Sequence, residues 1–115
     1  MAAFEPFQAN VVASLTGRTV TIATGATNTS VPGTLDSTTA YSPTVSVTNA
    51  GPNVAWIRMS SEATPVATSS DTPMVGNTIR LFANPIPNGK LGIAVIVSVT
   101  SSANTVYFVP GEGGI

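Results

Sequence analysis

Histidine and cysteine are absent from this chain of 115 residues, and only four basic and five acidic residues are present. These absences exclude a Ser-His-Asp triad, a thiolate nucleophile, an imidazole proton shuttle and ordinary zinc or iron ligation. Disulfides are excluded as well, so durability has to come from packing or assembly. Charge of either sign is scarce. Charged residues make up 8% of the chain against about a quarter in typical domains. Arg18, Arg58, Arg80 and Lys90 stand singly, and the net charge is −1, so no basic stripe exists to neutralise phosphates and no nucleic-acid partner is expected. No apolar run reaches the roughly 20 residues of a membrane helix, so no membrane partner is expected either. The longest run, residues 91–99, is interrupted by Gly92 and Ser98. The first ten residues lack the basic start and apolar stretch of a secretory signal, so synthesis in a cytoplasm is expected.

What is present is hydrophobic and hydroxyl-rich. Hydrophobic residues are 43% of the chain, and 17 Thr and 12 Ser supply most of the polar surface. Thr suits half-wetted strands and Ser suits turns, so the composition points to one all-β domain. Alternation with period two marks strands at residues 18–23, 44–49, 54–59, 78–83, 91–99 and 105–109. Residues 91–99 are apolar on both faces, which predicts a central strand and, in an isolated monomer, a surface needing protection by association. Gly51-Pro52-Asn53 predicts a hairpin between the second and third of these strands. Residues 24–36, rich in Thr, Gly, Asn and Ser, read as a long exposed loop, and residues 62–77 as a loop or short edge segments. Pro110 to Ile115 reads as a tail. Residues 1–17 form an N-terminal arm and lead-in, and 18–115 a single antiparallel β-sandwich or jelly-roll-like barrel.

Candidate chemistry is thin. Paired carboxylates could serve a glycosidase or an aspartic protease, but Asp36-Ser37-Thr38 and Asp71-Thr72-Pro73 lack the glycine that follows the active aspartates of such a protease. Asp beside Ser, Thr or Pro is ordinary turn chemistry, so the chain is expected not to be an enzyme. The acids are too scattered for a calcium loop, and no metal or cofactor is expected. Asn28-Thr29-Ser30 matches a glycosylation sequon but reads as loop without secretion. Thr19 and Thr21 read as a solvated strand face. Trp56, inside an apolar strand, suits a core or an interface better than a sugar-stacking platform. Phe4 and Phe7 flank Glu5-Pro6 near the terminus, where large apolar groups need something to hold them. They either fold back on the domain or anchor it to a neighbour.

From residue 44 onward the order of features resembles that of small head proteins of tailed bacteriophages. The residues concerned are Val45-Ser46-Val47-Thr48-Asn49, the turn Ala50-Gly51-Pro52-Asn53, and the strand Val54-Ala55-Trp56-Ile57-Arg58. Ser70-Asp71-Thr72-Pro73 and the ending Thr105 to Gly114 follow. This resemblance implies a capsid decoration, or cement, protein on the outer surface of the virion. Such a protein binds the major capsid protein and clamps neighbouring capsomers, working with copies of itself as a dimer or trimer. Phe4, Phe7 and Trp56 are the candidate capsid or subunit contacts. A carbohydrate-binding or adhesive β-sandwich, with Trp56 or Tyr41 exposed beside a groove, is the alternative, and a tail or connector subunit is another.

Overall fold

The computed structural model describes residues 6–9, 20–24, 30–38, 41–97 and 104–114. They form nine strands: β1 (Gln8–Ala9), β2 (Val20–Thr24), β3 (Val31–Asp36), β4 (Thr44–Asn49), β5 (Ala55–Ser60), β6 (Thr72–Met74), β7 (Thr78–Ala83), β8 (Lys90–Val97) and β9 (Asn104–Glu112). No helix is present among the described residues, so none is long and apolar enough to cross a membrane. One sheet runs β1-β9-β4-β7 with β2 also on β9, and the other runs β3-β8-β5-β6. All pairings are antiparallel. The partners are nested, with β2 on β9, β3 on β8, β4 on β7 and β5 on β6. A folded-over ribbon wound this way is the jelly-roll arrangement of a β-sandwich.

The core lies between the sheets, where alternation sends one side chain in two inward. Val45, Val47, Val106 and Phe108 from one sheet meet Leu35, Ile57, Leu91, Ile93 and Val95 from the other, each at most 2% exposed. β8 is central in its sheet, as its two apolar faces predict. Part of its outer face is covered by the chain itself. Residues 62–67 cross over it as a strap, with Ala67 N donating to Ser30 Oγ at 2.9 Å, and Ala94 beneath is fully buried. A Cβ on Gly92 would overlap the Glu62 carbonyl oxygen, so only glycine admits the strap there. A local segment thus covers the outer face of this strand at Gly92 and Ala94.

Three expectations are corrected. Residues 31–36, read as part of a long loop, are strand β3, paired from Val31↔Val95 to Asp36↔Lys90. β3 is an edge strand, where Pro32 and Gly33 are tolerated. The predicted hairpin at Gly51-Pro52-Asn53 is an arch, because β4 and β5 belong to different sheets. Finally, Pro110, Gly111 and Glu112 continue β9 instead of forming a tail. Ala50 N donates to Thr105 O at 2.8 Å, which fixes the bonding phase of β4 against β9. In that phase the nitrogen of Pro110 faces away from β4, beyond the last β2 pair, Val20↔Phe108, and before Ala9↔Gly111 of β1. The β4–β9 ladder therefore loses nothing at Pro110.

Candidate functional site

Alternation also decides what the sandwich presents outward. On the five-stranded sheet the outward positions are Thr44, Ser46 and Thr48 of β4, Ile79, Leu81 and Ala83 of β7, and Thr105, Tyr107, Val109 and Gly111 of β9. None carries a charge. Ile79, Thr48 and Tyr107 form one cross-strand row, with Ile79 66% and Tyr107 40% exposed. The outer side of the other sheet is different. It carries Asp36, Lys90 and Arg58, and the strap and its return bring Glu62 and Asp71 to Arg58. Among the described residues the outward positions of β4, β7 and β9 are therefore uncharged, exposed at the row of Ile79 and Tyr107 and covered by Phe7 at Gly111, and the opposite face is charged and partly covered.

Arg58 fastens the covered side. Its guanidinium reaches Asp71 Oδ1 at 3.1 Å and Glu62 Oε1 at 3.5 Å, the two ends of the looped-out segment. The Asp71 hydrogen bond and charge hold its pKa above the ordinary arginine value. Asp71 Oδ2 also accepts from Thr68 N at 2.8 Å. Asp36 accepts from the Thr38 hydroxyl and amide, which lowers its pKa, with a smaller contribution from Lys90.

The carboxylates singled out in the sequence do not meet. Asp36 ends β3 and Asp71 precedes β6, at opposite edges of the four-stranded sheet, with β8 and β5 between them. Three strand spacings correspond to ~14 Å. Among the described residues no three acids gather as a metal site would require. An open groove of about 450 Å³ between the sheet edges is lined by Ile57, Arg58, Ser60, Asp71, Thr72 and Ala83, among others. Its two charged groups already bond each other.

The candidate contact residues separate. Phe4 lies outside the described residues. Phe7 is half-buried on its own domain: a Cβ on Gly111 would lie 2.7 Å from its Cζ, and one on Gly114 3.0 Å from its Cβ. Trp56 is half-buried on the outer face of β5, between Ile96 of β8 and Pro73 of β6. Tyr41 is 58% exposed, yet neither it nor Trp56 lines the groove. The row of Ile79, Thr48 and Tyr107 escaped the sequence reading. A signal existed in β7, where Ile79 and Leu81 make the face opposite Phe82 apolar too. No protein-family model, curated protein or solved structure matches the chain.

Proposed function

We propose that the protein is a structural virion component that binds the assembled capsid of a tailed bacteriophage and clamps neighbouring capsomers. The observation that carries this reading is the uncharged outer face of the five-stranded sheet, with Tyr107 and Ile79 exposed in one row. Cores of protein interfaces are depleted of charge and enriched in aromatic side chains, and a flat face suits a broad, flat partner better than a small ligand. The resemblance of residues 44–114 to phage head proteins supplies the identity of that partner, the major capsid protein. Residues carrying the resemblance also brace the fold, since the Asn49 arch, the Arg58–Asp71 pair and the Pro110–Gly114 ending each join separate segments.

Clamping follows from geometry and mass action. A body touching two capsomers gains effective concentration for its second contact, so it binds assembled shell far better than free subunits. Bound clamps then stabilise the closed particle by their binding free energy. Counting copies per purified particle by quantitative mass spectrometry tests the reading. Hundreds of copies are expected, whereas about a dozen would indicate a connector ring and none would overturn a virion role. Thr48→Glu and Tyr107→Ser should lower shell occupancy without lowering the melting temperature.

A further inference from the structure

Among the described residues β7 is an unpaired edge of the five-stranded sheet. Asn84 N donates to Pro43 O at 2.8 Å, in register with the β4–β7 pairs, so the bonding phase of β7 is fixed. Residues of β7 with even numbers bond β4, and Ile79, Leu81 and Ala83 turn their amide N–H and C=O groups outward. Among the described residues nothing pairs with that side of β7. Of the other edge strands, β6 has three residues including Pro73, β3 contains Pro32 and Gly33, and β1 has two residues, while β2, five residues without proline or charge, lies against β3 of the other sheet. β7 has six residues, no proline and one charge. That charge is drawn back from the edge, because Arg80 lies over the Phe82 ring at 4.8 Å and its Nη1 donates to Pro73 O at 3.3 Å. Natural sheets usually protect such an edge with proline or an outward lysine.

We infer that β7 is the dimer interface of this protein, pairing antiparallel with β7 of a second copy about a two-fold axis normal to the sheet. An antiparallel edge is self-complementary under a two-fold, so one copy supplies every donor and acceptor that the other needs. The sequence favours one register over its neighbour. With Leu81 opposite Leu81 of the second copy, Leu81 bonds its counterpart reciprocally and Ile79 bonds Ala83 across the axis. Arg80 then faces Phe82 of the other copy, a favourable cation–π neighbour. Sliding the pair to centre on Arg80 sets two arginines face to face, which is destabilising. The chosen register also places the exposed Ile79 beside Ala83 of the partner copy.

This pairing deepens the clamp reading without depending on it. A two-fold normal to the sheet keeps both neutral outer faces on one side, so the dimer presents a doubled docking face able to span two capsomers. The dimer is a property of the free protein and is tested without shells.

Two measurements decide it. In sedimentation velocity the wild type is expected at twice the chain mass, and Ile79→Pro/Ala83→Pro at the monomer mass with a retained β-sheet spectrum. Proline on the solvent side of an edge removes the outward N–H groups and spares the β4 ladder. The second uses the chain's lack of cysteine. Under mild oxidation Leu81→Cys is expected to form a covalent dimer, because a hydrogen-bonded antiparallel pair sets Cα atoms about 5.5 Å apart, within disulfide reach. Ile79→Cys, which faces Ala83 instead, is expected to form no covalent cross-link in the same assay. A monomeric wild type, a dimer that survives the double proline variant, or cross-linking of Ile79→Cys in place of Leu81→Cys would overturn the inference. Loss of shell occupancy in Tyr107→Ser with the solution dimer intact separates this interface from the docking face.

Discussion

Asn104 Nδ2 donates to Asn49 Oδ1 across 2.9 Å, and both side chains are sealed from solvent at one end of the sandwich. Asn49 Nδ2 donates in turn to Asn53 O at 2.9 Å and Met74 O at 3.1 Å, and its Oδ1 accepts from Gly51 N at 3.3 Å. One side chain therefore latches the arch, the end of β6 and the start of β9. Replacing Asn49 by Ala strands several buried polar groups, each costing about 1–3 kcal/mol. The expected loss is roughly 2–4 kcal/mol, read from the urea midpoint at unchanged m-value.

Gly92 lies under the strap. Gly92→Ala forces the Glu62 carbonyl off β8, and overpacking of this kind costs about 1–3 kcal/mol. The variant should melt lower and be cut faster within residues 61–71 by limited proteolysis. Wild-type melting with unchanged cleavage would show that the strap does not rest on this position.

Arg58 offers a contrast in magnitude. Its side chain is 42% exposed and its partner Glu62 61%, with Asp71 less so at 15%, and solvent screening leaves such pairs contributing little to global stability. Arg58→Met should therefore leave the denaturant midpoint nearly unchanged. Proteolysis of the looped segment should still accelerate, because both its ends lose their fastening.

Asp36 links stability to acid. Its bonds to Thr38 and the nearby Lys90 lower its pKa in the folded state below the ordinary 3.8. The stabilisation is therefore complete above that ordinary value and disappears as pH falls through the lowered one. Melting temperatures measured from neutral pH down to about pH 2 should fall, and Asp36→Asn should show a shallower decline.

Phe7 packs over Gly111 and beside Gly114. Removing a half-buried ring forfeits part of the 1.5–3 kcal/mol of full burial, so Phe7→Ala should lose about 1–2 kcal/mol of folding stability. Melting temperature and shell occupancy measured together assign the residue. Unchanged melting with lost occupancy would make Phe7 an anchor to a neighbour.

Periodicity in the sequence determined which residues form most strands and which side of each faces the core, because inward and outward positions alternate by a fixed step. β4, β5, β7 and β8 were legible for that reason, as was the all-β class, and the short edge strand β6 fits the reading of residues 62–77. Tertiary structure alone decided the pairing. Asn49 and Asn53 look like hairpin residues locally, and they become an arch because Asn104, 55 positions beyond Asn49, completes their hydrogen bonds. Pro32-Gly33 and Pro110-Gly111 look like breakers, and they sit in strands because the Pro32 nitrogen faces away from β8 and the Pro110 nitrogen faces away from β4. The candidate docking row was illegible for the same reason. Ile79, Thr48 and Tyr107 become neighbours only through the order β9-β4-β7, and period two records a residue's face but not the strand beside it.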